Sequence, residues 1–143
     1  MNQETFVAHA SVKIAAPVRE VWDALVNPQT IRTYMFGTEV VSEWKKNSPI
    51  VWKGVWKDKP YQDHGTIVEI VPEKRLKYSH FSPLSGVADV PENYHTLAFD
   101  LTQEGEAVVL ALAQDNNHSV EEQKHSEGMY MAMLQGLKKL LEK

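Results

Sequence analysis

Phe6, Ala8, Ala10, Val12 and Ile14 alternate with His9, Ser11 and Lys13, the period of two that sets apolar groups on one face of a strand. Residues 4–14 are therefore predicted as the first strand. Pro17 suits a first helical position, and Val21, Trp22 and Leu25 recur at helical spacing until Asn27-Pro28 breaks the pattern. Asn27 can cap a second short helix that starts at Pro28 and buries Ile31, Tyr34 and Met35. Short β-prone runs follow at Thr38–Trp44, Ile50–Lys57, Gln62–Val71, Arg75–Phe81, Tyr94–Thr102 and Ala107–Gln114. Most of their connections are short, as antiparallel neighbours require, whereas Ser82–Asn93, with Pro83, Gly86 and Pro91, is predicted as a structured loop. Ser119-Val120-Glu121-Glu122 is a capping-box pattern, and Tyr130, Met133, Leu134, Leu137 and Leu141 then follow offsets of three and four. An amphipathic helix of about 23 residues, roughly 35 Å long, needs a large surface to cover, and only the sheet is of that size. The pattern is α+β: β-α-α-β6-α, a curved seven-stranded antiparallel sheet wrapped around its C-terminal helix.

Composition narrows the function. Residues 1–143 contain no repeat, low-complexity run or linker, so a single domain is expected. The absence of cysteine removes disulfides, thiolate nucleophiles and cysteine-ligated zinc, and fits a reducing, cytoplasmic setting. No basic-then-apolar leader opens the chain and no stretch of 18 apolar residues occurs, which argues against a secretion signal and a membrane span. A net charge of −4 with scattered lysines offers a polyanion little organised attraction, so nucleic acid is not an expected partner.

The order of elements, together with Ala16-Pro17-Val18-Arg19-Glu20-Val21-Trp22-Asp23-Ala24-Leu25, Asn27-Pro28, Trp52-Lys53-Gly54, Gly65–Pro72 and Leu137–Glu142, resembles the START-like helix-grip (SRPBCC) superfamily. Within it the chain is similar to proteins related to the C-terminal domain of the activator of heat-shock protein 90 ATPase. That resemblance implies a helix-grip fold with an internal cavity. It implies lipid carriers, cyclases, hydrolases and co-chaperone domains among the relatives, and fold alone does not choose between them. Relatives often carry glycine-tryptophan in the last helix, where this chain has Gly128-Met129.

Strand alternation nominates a site. Ile50, Trp52, Gly54 and Trp56 share a side; His64 is expected beside Thr66, Val68 and Ile70; Leu76 goes with Tyr78 and His80; His95 goes with Leu97, Phe99 and Leu101. With the apolar side inward, these aromatics and histidines would line a cavity closed by Met129, Tyr130 and Met133 of the last helix, Met129 either facing a ligand or filling a gap. The bland alternative is that the polar tips only satisfy hydrogen bonds at the end of the sheet. Three histidines raise the question of zinc, but HExxH and short ligand spacings are absent, so no metal is expected. Ser82-Pro83-Leu84-Ser85-Gly86 lacks the GxSxG elbow, and Asp89 and Glu92 are expected to be solvated loop acids unless one pairs with His80 or His95. The expected function is binding of a small, partly apolar or aromatic molecule without a cofactor. The alternatives are a module that binds a chaperone or another protein, and an enzyme of the cyclase or hydrolase type.

Overall fold

The computed structural model describes residues 5–142, so the predicted start of the first strand at Glu4 lies outside the described residues. Strand β1 (Phe6–Ile14) precedes helices α1 (Val18–Val26) and α2 (Pro28–Tyr34). Strands β2 (Glu39–Ser42), β3 (Pro49–Trp56), β4 (Lys59–Val71), β5 (Arg75–His80), β6 (His95–Glu104) and β7 (Ala107–Asn117) follow, and helix α3 (Val120–Leu141) ends the chain. The loop between β5 and β6 contains two 3-10 turns, Pro83–Ser85 and Pro91–Asn93, each opened by a proline whose fixed φ suits that position.

The strands form one curved seven-stranded sheet in the order β1-β7-β6-β5-β4-β3-β2, antiparallel throughout. β2 to β7 are a meander, and β1 returns to pair with β7. The hairpin from β3 to β4 is tighter than the spacing predicts. Lys57 and Asp58 both adopt positive φ, 50° and 65°, so Trp56 pairs with Lys59 and the strand starts before Gln62. Pro60 is tolerated there because this end of β4 runs past β5 and has only β3 beside it.

Helix α3 buries Ser126, Met133, Leu134 and Leu137 and packs chiefly along β1. Each fully buried apolar side chain contributes about 1.5–3 kcal/mol, so this face anchors the helix. Ser119 Oγ accepts from Glu122 N at 3.0 Å, and the Glu122 carboxylate accepts from His118 N at 3.3 Å. The reciprocal return bond of the capping box is thus made one residue early. The polar stripe of α3 covers the free edge of β1. Gln123 Nε2 donates to Val7 O at 2.9 Å and Lys138 Nζ to Lys13 O at 2.6 Å. His9 N and Ala15 N donate to the carboxylates of Glu127 and Glu142 at 3.0 and 2.6 Å. Unpaired edge groups that would template another strand are satisfied within the chain. The Lys138 ammonium and the Ala15 amide hold the Glu142 carboxyl below its ordinary value.

Candidate functional site

On the concave side of the sheet, a cavity takes most of its strand-borne side chains from β3, β4 and β5. Trp52 on β3 is paired with Asp63 on β4, and Gly54 with Tyr61. A Cβ at Gly54 would lie 2.5 Å from Tyr61 Oη, so glycine is what lets the Tyr61 ring lie over β3. Tyr61 Oη and Thr38 Oγ1 are 2.8 Å apart and share a hydrogen bond. From β5, the Tyr78 ring sits 5.1 Å from Trp52 and the His80 ring 4.8 Å from it, the latter edge-on. These side chains, with Met35, Leu97, Tyr130 and Met133, line a cavity of about 90 Å³ between sheet and helix. A water needs only about 10–15 Å³ of such space, so a small chemical group fits.

His80 Nε2 lies 2.9 Å from Asp63 Oδ2, and the two side chains are 26% and 15% exposed. The second carboxylate oxygen, Asp63 Oδ1, is buried without a hydrogen-bond partner. Buried polar atoms are ordinarily paired, which singles this oxygen out. His80 and Tyr130 also border a cleft of about 430 Å³ between the β5–β6 loop and the first half of α3. His95, Gln114, Ser126 and Met129 line the cleft with them. Gln114 Nε2 donates to Tyr130 Oη at 3.1 Å, leaving the buried Gln114 Oε1 unpartnered. Burial raises the hydroxyls of Tyr78 and Tyr130 well above their ordinary value, so both stay protonated donors.

The nominated residues are thus distributed over several places. Trp52, Tyr78, His80, Tyr130 and Met133 meet at the cavity, while His95 and the half-exposed Met129 border the cleft. Phe99 lies deeper, its ring 5.8 Å from Tyr78, beside a void of about 20 Å³. The side chain of Trp56 lies outside the described residues. His64 does not face the cavity. β4 carries a bulge between Ile67 and Glu69, so Tyr61, Asp63, Gly65 and Ile67 point inward before it and Ile70 after it. The apolar run Val68–Ile70 predicts the opposite phase for His64, because a bulge exchanges the two faces. Asp63, Tyr61, Thr38, Met35 and Gln114 were not nominated. The alternation Tyr61-Asp63-Gly65-Ile67 is visible in the chain, but it contains a carboxylate and a glycine.

On the convex side His64 Nε2 is 3.0 Å from Asp89 Oδ2 and 3.0 Å from Tyr94 Oη, and Tyr94 Oη donates to Asp89 Oδ1 at 2.5 Å. Tyr94 stacks on Phe81 with ring centroids 5.1 Å apart. The cluster pins the β5–β6 loop to the sheet beside an open polar groove of about 650 Å³. The bond to Asp89 pushes the Tyr94 hydroxyl up to about 12. Among the described residues no three histidine or carboxylate side chains are grouped to hold a metal ion, and no helix is long and apolar enough to cross a membrane.

The family model described as Activator of Hsp90 ATPase homolog 1-like protein matches residues 15–142. The solution structure of ChR145 from Cytophaga hutchinsonii is 52% identical, covers 99% of this chain and 96% of its own, and superposes with a TM-score of 0.87. At lower identity the fold persists. CalU16 from Micromonospora echinospora is 19% identical over 97% of this chain and 87% of its own, with a TM-score of 0.73. The Aha1 dimer from Colwellia psychrerythraea is 16% identical over 96% of both chains, with a TM-score of 0.75. No curated protein matches the chain.

Proposed function

The chain belongs to the family of Activator of Hsp90 ATPase homolog 1-like proteins, and from that premise we propose that it binds a small, partly apolar molecule between the concave face of its sheet and α3. One observation carries the reading. The cavity of about 90 Å³ and the cleft of about 430 Å³ share His80 and Tyr130, and each holds a buried acceptor, Asp63 Oδ1 or Gln114 Oε1, without a partner. In the cavity Met35, Trp52, Leu97 and Met133 stand beside a few convergent polar groups, the usual anatomy of a small-molecule site.

A thermal-shift screen of small aromatic and alicyclic compounds tests it. A ligand at 100 times its Kd stabilises the fold by about 2.7 kcal/mol, which raises Tm by roughly 10 °C in a chain of this size. Hits should quench or shift tryptophan fluorescence and show nuclear Overhauser contacts to Trp52 and Tyr130. Contacts confined to the convex groove would sink the proposal. Binding to a chaperone ATPase without any such hit would favour the protein-interaction alternative. Turnover of a hit would add the cyclase- or hydrolase-type reading, with the Asp63–His80 pair as its base.

A further inference from the structure

Resting on the cavity reading above, we infer that the polar group taken by the inner cavity is a protonated primary or secondary amine, held by Asp63 within a ring of aromatic side chains. Trp52, Tyr61, Tyr78, His80 and Tyr130 give the cavity five aromatic walls, and among the described residues Asp63 is its one carboxylate and no lysine or arginine lines it. An ionised carboxylate only accepts hydrogen bonds, and His80 at 2.9 Å engages one oxygen while Oδ1 is left buried and unpaired.

Three ligand chemistries can be weighed against that lining. An anion would be brought against the Asp63 charge in a low-dielectric space and is the least favoured. A neutral hydroxyl pairs with Oδ1 but brings no opposite charge to the carboxylate. An ammonium with an N–H supplies the donor and the opposite charge together, and the faces of Trp52 and the tyrosines attract a cation as well. Met35 and Met133 offer adaptable thioether contacts to the adjoining carbons. A volume of about 90 Å³ takes the head group only, so the rest of the molecule extends toward the cleft whose wall, His80 and Tyr130, the cavity shares. A quaternary ammonium lacks the N–H and meets only the aromatic part of the site.

Titration calorimetry of the full chain with three probes of similar shape tests this: phenethylamine, phenethyl alcohol and hydrocinnamate. The amine should bind about tenfold more tightly than the alcohol, the margin of a charged over an uncharged donor to the same carboxylate, and hydrocinnamate most weakly. Asp63→Asn keeps an acceptor for His80 and should abolish the amine's advantage over the alcohol. On the wild-type chain, N-methylphenethylamine should retain the affinity and its trimethylammonium analogue should lose it, a comparison that stands even if Asp63→Asn fails to fold. Equal binding of amine and alcohol, or preference for the acid, would overturn the amine assignment and leave the cavity reading intact. Binding by none of the three would overturn both.

Discussion

Asp63 and His64 are adjacent residues of β4, yet one faces the concave side of the sheet and the other the convex side, and each joins a histidine–aspartate pair. The pairs look alike by distance, 2.9 Å for His80–Asp63 and 3.0 Å for His64–Asp89. Their surroundings differ. The inner side chains are 26% and 15% exposed and leave one oxygen unpartnered, whereas the outer ones are 36% and 52% exposed and every link is shared with Tyr94. The same two residue types therefore make a structural clasp where water screens them, and a largely buried pair with a free acceptor where water reaches them less. Distance alone would not separate a fastening from a candidate binding group.

The most severe way to break the comparison is to disturb the strand that carries both faces. Gly65 follows Asp63 and His64 directly, and a Cβ there would lie 1.8 Å from the backbone oxygen of Ser79 on β5. Backbone cannot swing away as a flexible side chain can, so Gly65→Ala must part β4 from β5. A loss of roughly 4 kcal/mol or more is expected, read as a collapsed urea midpoint or as failure to fold. Wild-type stability in Gly65→Ala would show that the two strands are free to separate here.

A finer cut compares the pairs themselves. His80→Ala strands a largely buried carboxylate and should cost about 3 kcal/mol, whereas His64→Ala removes an exposed partner and should cost at most about 1 kcal/mol. Equilibrium denaturation of the two variants measures the contrast. Adding Asp63→Asn to His80→Ala should recover part of the loss, since the stranded charge is its cause. Equal costs for the two histidines would mean that burial does not distinguish the pairs.

The helical parts of this contrast were legible in the chain, and the face of β4 was not. Helix α3 could be read from Met133, Leu134 and Leu137 because periodicity within one helix is a local signal, and Asn27-Pro28 marks a helix junction by the chemistry of capping. The polar first half of α3 gave no local clue to its role. Gln123 and Glu127 satisfy main-chain groups of β1 that are 116 and 118 residues away in sequence. The bulge after Ile67 is likewise fixed by pairing with β5, and it exchanged His64 for Asp63 on the inner face. Trp52, Tyr78 and His80 could be placed because no irregularity interrupts β3 or β5 between them and the buried residues that set the phase.

The smallest expected effect sharpens the outer side of the comparison. Tyr94 donates to Asp89 Oδ1, and the hydrogen bond that deprotonation would forfeit is the main reason its hydroxyl is raised to about 12 from an ordinary 10.0, with burial and the Asp89 charge adding to it. The folded value lies above the unfolded one, so the stabilisation is complete below about pH 10. It declines as pH rises through the interval and is gone above about 12, where both states have released the proton. Ultraviolet titration should therefore show a late tyrosinate step near pH 12 that Tyr94→Phe removes, ahead of the buried Tyr78 and Tyr130, which burial raises further. Melting curves of wild type and Tyr94→Phe should converge on the alkaline side, with any difference confined to lower pH. Because Tyr94 is partly exposed and screened by solvent, the effect on overall stability should be small. If the late step persists in Tyr94→Phe, it belongs to a buried tyrosine of the concave side, and the bond to Asp89 does not hold the outer clasp together.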